Sequence, residues 1–279
     1  MRETKLIIVS GRKRIGKSNE TLRFLLREYT KGSHPRKVLI YDPNNEYGSY
    51  ELYEGTKKSI VKIPMLGHDD ILSFNKQNLV EMRRIVPIDK YGKPLSGEEQ
   101  DKLIVKCMTE FRGGCLWVED LNVVFGDTLP KRVTGFFTNN AHRDCDIILQ
   151  LQSISRILPK MWSNCNSVRM HKQLDSADQS KNKLKDNYEL FKISQILVNE
   201  EYDKNNIRFF VWIDMDDHKI RGAYSLAQYK SAVREYISEN PILVKREMNK
   251  MNFGGNKYTQ EDAMQSLTNR LIKEFYGNS

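Results

Sequence analysis

GRKRIGKS, Gly11 to Ser18, fits the pattern G-x-x-x-x-G-K-[ST] and lies between two segments of different periodicity. Ahead of it runs Leu6-Ile7-Ile8-Val9, an apolar stretch with the length of a buried strand. Behind it, Asn19 to Tyr29 places Leu22, Leu25 and Leu26 at helical spacing. Strand, loop and helix in that order make a phosphate cradle. Glycines let the backbone turn so tightly that successive N–H groups converge on phosphate oxygens, and the helix start adds the positive end of its dipole. In such a cradle Lys17 reaches the β- and γ-phosphates and Ser18 ligates Mg²⁺, so ATP and Mg²⁺ are the expected cofactors. The binding segment comprises Gly11, Arg12, Lys13, Arg14, Ile15, Gly16, Lys17, Ser18 and Asn19. Three consecutive bases inside the loop are unusual. Arg12, Lys13 and Arg14 either concentrate positive charge around the triphosphate or are solvated surface charges.

The 279 residues, 39% hydrophobic and 29% charged, suit a globular chain with one sizeable α/β domain and an appendage, or two small domains. No apolar run approaches the roughly 20 residues that span a bilayer, and Gly11 interrupts the only N-terminal one, so no membrane span or signal peptide is expected. The expected location is the cytoplasm of a cell. Cys107, Cys115, Cys145 and Cys165 show no C-x-x-C spacing and read as structural thiols; the five histidines are equally scattered, and no protein-ligated transition metal is indicated. A net charge of +9, concentrated in residues 1 to 38 and from Arg156 to Lys185, favours a polyanionic partner.

Downstream, Val38-Leu39-Ile40-Tyr41 reads as a second buried strand that ends in Asp42-Pro43-Asn44-Asn45-Glu46-Tyr47. Ligands of open α/β sheets bind outside the carboxyl ends of strands. Asp42 and Glu46 therefore either face the nucleotide or are a turn-capping Asp and an exposed Glu. Residues 49 to 82 carry weak signals, a strand at Ile60 to Ile63 and a short helix near Lys76 to Met82. A strand at Arg84 to Ile88 and an amphipathic helix at Glu98 to Phe111 follow. Cys115-Leu116-Trp117-Val118 then forms a compact strand that ends in Glu119-Asp120. An acid pair in that place supplies a carboxylate for the Mg²⁺ shell and one that activates water. By position Glu119 holds the metal shell and Asp120 polarises water, with Glu46 as a substitute base. A helix at residues 129 to 143 leads to the strand Asp146 to Ser153, whose Gln152 is placed to contact the γ-phosphate or the attacking water. One more strand is expected within Asn164 to Lys172.

The series D-P-x-x-E-Y (Asp42 to Tyr47), R-I-x-P (Arg84 to Pro87), the acid pair, A-H-R-D-x-D-I (Ala141 to Ile147), L-Q-S (Leu151 to Ser153) and N-x-N-x-x-R (Asn164 to Arg169) resembles the HerA/FtsK superfamily of DNA-pumping ATPases. Within it the chain is most similar to viral and phage genome-packaging ATPases, over residues 5 to 175. The resemblance implies an α/β fold of the P-loop NTPase type (RecA/ASCE-like), a mainly parallel sheet flanked by helices. It assigns Lys17, Glu119, Asp120 and Gln152 to catalysis, with Ser18 and Glu119 toward the metal. Arg143 or Arg169 becomes an arginine finger for a neighbouring subunit, unless each is a surface or DNA-facing residue. The order of the acids is the reverse of the usual one, and Ile15 replaces the small residue that commonly precedes Gly-Lys-Ser or Gly-Lys-Thr. The implied function is an ATP-driven double-stranded DNA translocase, a homo-oligomeric ring with a capsid or portal protein as a further partner. Alternatives are a virion-assembly or secretion ATPase that moves protein, a small-molecule kinase, and a slow nucleotide-gated binding protein.

Past residue 175 the resemblance fades, and 176 to 279 is read as an extension. It should hold a helix at Lys181 to Ile196, a β-hairpin of Ile207 to Ile213 with Ile220 to Tyr224, and helices near Ala227 to Ile237 and Gln260 to Tyr276 separated at Gly254-Gly255. Asp214, Asp216 and Asp217 lack the Gly and distal Glu of a calcium loop and read as a polar hairpin tip.

Overall fold

The computed structural model describes residues 3–120, 144–251 and 257–278. It divides into two compact units, Met1–Asn166 and Ser167–Ser279, so the first ends nine residues before the core boundary drawn from sequence.

In the first unit, strands β1 (Leu6–Ser10), β2 (Lys37–Tyr41), β5 (Met82–Ile85), β6 (Gly114–Val118) and β7 (Asp146–Leu151) pair in parallel in the order β1-β7-β6-β2-β5. Every residue of β1, β2, β6 and β7 is buried. These segments therefore read as continuous apolar runs, as a sheet covered on both faces requires. The strand with the acid pair does not lie beside the strand that enters the phosphate loop. β7 separates them, in register Leu6 with Ile147 on one side and Cys115 with Asp146 on the other. Parallel pairing sends Gly11, Asp42, Glu119 and Gln152 out of one edge of the sheet.

Helix α1 (Lys17–Phe24) begins on Gly16, whose φ of 86° is a left-handed conformation that favours glycine, and continues as a π-helical turn, Leu25–Thr30. α3 (Gly97–Glu110) starts with a capping box between Ser96 and Glu99. Two differences from the sequence reading occur between them. The short helix is α2 (Ile71–Lys76), and Met82 already belongs to β5. Burial of Ile71 and Phe74, with the Phe74 ring 6.0 Å from that of Phe111, locates it. Tyr50–Glu54 (β3) and Lys57–Val61 (β4) form a hairpin turning at Gly55, where φ is 60°. Four of the five β4 residues are exposed, so no alternation marks the strand.

The A-H-R-D-x-D-I stretch contributes a buried anchor. The Asp146 carboxylate accepts the Lys5 amide at 2.8 Å, the Tyr29 hydroxyl at 2.8 Å and an Arg36 guanidinium N–H at 3.4 Å. It thereby ties the end of the helix after the phosphate loop, and the residue that leads into β2, to the start of β7.

In the second unit β8 (Ser167–Met170), β9 (Val211–Asp214) and β10 (Lys219–Gly222) are antiparallel, and helix Tyr188–Asp203 packs against them. The expected helix at 181–196 is broken at Lys185, where φ is 47°, and restarts at Tyr188. The hairpin tip is polar as expected: Asp214 Oδ1 accepts the amides of Asp216 and Asp217. Helices Leu226–Glu239, Pro241–Met248 and Gln260–Phe275 follow; the middle one, opened by Pro at its first turn, was not anticipated. The expected helix at 129–143 and the Gly254-Gly255 break lie outside the described residues. Among the described residues no helix is long and apolar enough to cross a membrane, and all four cysteines are buried.

Removing the anchor strands the groups that it pairs. Asp146→Ala should lower the unfolding free energy by about 3 kcal/mol, against about 1 kcal/mol for Tyr29→Phe. Equal losses in denaturant unfolding would contradict the anchoring role.

Candidate active site

Gly11, with φ of 152°, and Gly16 bend the loop around the Lys17 side chain, whose ammonium donates to the carbonyls of Gly11 at 2.6 Å and Arg12 at 2.7 Å. The lysine is thus held over the space that its own loop encloses. Ile15 is buried and fixes the loop to the core, whereas Lys13 and Arg14 are exposed. The Asn19 side chain is bound to the hairpin: its side-chain amide donates to the Tyr53 carbonyl at 3.0 Å, and its oxygen accepts the Tyr53 amide at 2.8 Å. That pair ties α1 to the β3–β4 hairpin.

The acid pair arrives from β6. Glu119, only 5% exposed, receives three hydrogen bonds on Oε1: from Ser18 Oγ at 2.8 Å, the Tyr47 hydroxyl at 2.6 Å and Gln150 Nε2 at 2.9 Å. Its other oxygen, Oε2, is buried without a hydrogen-bond partner among the described residues. Burial pushes the Glu119 carboxyl up to about 7; the Tyr47 and Ser18 hydrogen bonds oppose that rise, and Glu46 and Asp42 add to it. A buried carboxylate oxygen left open beside a serine hydroxyl fits a divalent cation, which would supply the missing positive charge. No group of three or more acidic, histidine or cysteine side chains suited to a metal occurs among the described residues, so any such ion would depend on phosphate and water for its remaining ligands.

Asp120, at φ of 50°, is held by Gln152, whose Nε2 lies 2.9 and 3.0 Å from the two carboxylate oxygens. Glu46 faces the same space, and burial, reinforced by Asp42 and Asp120, raises its pKa. Lys13, Arg14, Gly16, Lys17, Ser18 and Asn19 line one side of a cavity of about 340 Å³; Asn44, Glu46, Tyr50, Glu119, Asp120, Gln150 and Gln152 line the rest. The loop, the acid pair, Glu46 and Gln152 are therefore brought together.

Asp42 has the turn-capping role. Its carboxylate accepts the amides of Glu46 at 2.9 Å and Tyr47 at 3.0 Å and pairs with Arg84 at 3.1 Å. The D-P-x-x-E-Y stretch is thus a device that seats Tyr47 against Glu119 and leaves Glu46 toward the cavity. Arg143 lies outside the described residues. Arg169 is 1% exposed, its guanidinium 5.5 Å from the ring centres of both Phe210 and Trp212, so as placed it packs within the second unit instead of projecting from it.

Sequence reasoning missed Tyr47 and Gln150. Gln150 carried a signal, because a glutamine within an otherwise apolar buried strand is costly unless paired. Here its amide donates to Ser18 Oγ at 3.0 Å as well as to Glu119, and its oxygen accepts from Thr21 at 3.3 Å.

Because the folded chain holds the Glu119 proton more tightly than the unfolded chain does, that contribution to stability is present below the ordinary carboxyl range and is lost as pH rises toward 7. Between pH 4.5 and 7 the nucleotide-free protein should lose about 3 kcal/mol relative to Glu119→Gln. Parallel stability profiles of the two proteins would show that the carboxyl ionises normally.

No protein-family model matches the sequence, and comparison with curated proteins finds no match. Comparison with solved structures finds distant likenesses. The genome packaging NTPase B204 from Sulfolobus turreted icosahedral virus 2, in complex with ATP-gammaS, is 16% identical with a TM-score of 0.46, covering 81% of this chain and 100% of its own. B204 from Sulfolobus Turreted Icosahedral Virus, the DNA-packaging ATPase, is 17% identical with a TM-score of 0.47, over 81% of this chain and 100% of that one. The Legionella pneumophila ATPase DotB is 10% identical with a TM-score of 0.36, over 98% of this chain and 54% of that one. The chain's own loop, strand order and acid placement are those of a P-loop NTPase fold.

Proposed function

We propose that this protein is an ATPase that drives double-stranded DNA translocation, of the genome-packaging type, working as a homo-oligomeric ring. The observation that carries the catalytic reading is the convergence of Lys17, Ser18, Glu119, Asp120, Glu46 and Gln152 around one cavity at the carboxyl edge of a parallel sheet. Lys17 exchanges its loop carbonyls for the β- and γ-phosphates. Ser18 and Glu119 would hold Mg²⁺, which neutralises phosphate charge when bound. Asp120 or Glu46 orients water toward the γ-phosphorus, and the raised pKa of Glu46 suits a group that takes a proton. Gln152, now on Asp120, is placed to detect the γ-phosphate and release that carboxylate.

Translocation is supported by the sequence resemblance and by the net charge of +9, since a motor that accepts any sequence holds DNA through its phosphates. Arg143 remains the candidate for contact with a neighbouring subunit or with DNA, and a capsid or portal protein the candidate further partner. The slow nucleotide-gated binding protein is the second reading. The pairing of Asp120 with Gln152 favours it, because a carboxylate so held is not free to activate water.

Steady-state ATP hydrolysis, measured with and without long double-stranded DNA over a range of salt and protein concentrations, separates these readings. A translocase should be stimulated by DNA of any sequence, less so at high salt and more so as protein concentration rises, and Lys17→Ala should lower turnover by roughly 10²-fold or more. Full turnover in Lys17→Ala would rule out the site. Nucleotide binding without hydrolysis under any condition would select the binding-protein reading.

A further inference from the structure

We propose that Arg14 acts in cis, from the phosphate loop of its own subunit, as the cation that meets the charge developing on the γ-phosphate during hydrolysis. The inference rests on the ATPase reading and deepens it. Arg14 has φ of 64°, a left-handed conformation that disfavours every side chain with a Cβ, in a loop where glycine would adopt it freely. Strain of this kind persists at functional sites. The residue lines the cavity together with Lys17 and Ser18, and it is exposed. Among the described residues its guanidinium makes no hydrogen bond or ion pair.

Two other arginines of the first unit are committed. Arg84 pairs with Asp42 and Arg36 with Asp146, whereas in the second unit Arg169 packs on Phe210 and Trp212. Across the cavity stand Glu46, Glu119 and Asp120, whose charge is not answered by Lys17 alone while that ammonium is bound to loop carbonyls. An unpaired planar guanidinium at this wall is suited to two parallel hydrogen bonds with phosphate oxygens.

In hydrolysis the water oxygen forms a bond to the γ-phosphorus. The bond from that phosphorus to the β–γ bridging oxygen breaks, and ADP leaves with its electron pair. The water proton passes to the carboxylate of Asp120 or Glu46, and inorganic phosphate remains. Charge shifts onto the bridging oxygen and spreads over the γ-oxygens, where Arg14 donates. Lys13 lines the same wall but offers a point charge without the fork, so its contribution is to ground-state attraction.

The test uses the full chain with Arg14→Ala, Arg14→Lys and Arg14→Gly, the last of which relieves the backbone strain. Affinities for ADP, for a non-hydrolysable ATP analogue and for ADP with aluminium fluoride are measured beside turnover. For Arg14→Ala and Arg14→Gly, ADP affinity should stay within about threefold, while turnover and affinity for the aluminium fluoride complex fall by roughly 10²- to 10³-fold. Arg14→Lys should recover only part of that loss, and Arg14→Gly should melt at a higher temperature than the wild type. In mixtures with wild-type subunits, activity should fall in proportion to the variant fraction. Equal losses for ADP and the aluminium fluoride complex, a steeper-than-proportional fall in mixtures, or unaltered turnover in Arg14→Gly would each overturn the assignment and leave the ATPase reading intact. A wild-type chain that binds no nucleotide would remove both.

Discussion

One carboxylate oxygen holds the site together. Glu119 Oε1 is where the helix after the phosphate loop, the turn after β2 and strand β7 meet, through Ser18, Tyr47 and Gln150. Each donor comes from a different element, so the position of the glutamate reports on all three. With β7 lying between β1 and β6, Gln150 reaches both Ser18, on the helix that follows β1 and its loop, and Glu119, just past the end of β6. The arrangement also leaves Oε2 bare and buried, which raises the carboxyl pKa and marks where positive charge is missing.

Around that oxygen the chain spends polar groups on positioning. Asp42 does not face the cavity chemistry; it fixes the turn that delivers Tyr47 and Glu46. Asp146 performs the same service at the opposite end of β7, fastening Tyr29 and Arg36. The groups left for chemistry are those at the cavity wall, and they divide by charge: Lys13, Arg14 and Lys17 on the loop side, Glu46, Glu119 and Asp120 on the strand side. A triphosphate with its metal is the kind of ligand that completes both halves.

How much of this was legible in sequence depended on where each feature gets its energy. Strands buried on both faces announce themselves as unbroken apolar runs, so β1, β2, β6 and β7 were read within a few residues, and the phosphate loop followed from its glycines and lysine. The β3–β4 hairpin and α2 were not, because exposed Lys57, Lys58 and Ser59 carry no alternation and α2 is located by two long-range contacts, Ile71 and Phe74. The roles of Asp42 and Tyr47 depend on a hydrogen-bond direction that residue type alone leaves open. Gln150 could have been found from the cost of burying it, whereas Arg169 was named for a role outward and lies packed on two aromatic rings.

The most direct measurement is calorimetric titration of a non-hydrolysable ATP analogue at pH 6, with and without Mg²⁺, in buffers of different ionisation enthalpy. If Glu119 joins Ser18 in holding the metal, it must ionise to do so, and binding with Mg²⁺ should release close to one proton more in the wild type than in Glu119→Gln, the analogue's own phosphate proton being common to both. Mg²⁺ should also tighten binding by about tenfold or more in the wild type alone. Binding that is indifferent to Mg²⁺, or that releases the same number of protons in both proteins, would contradict the site described here.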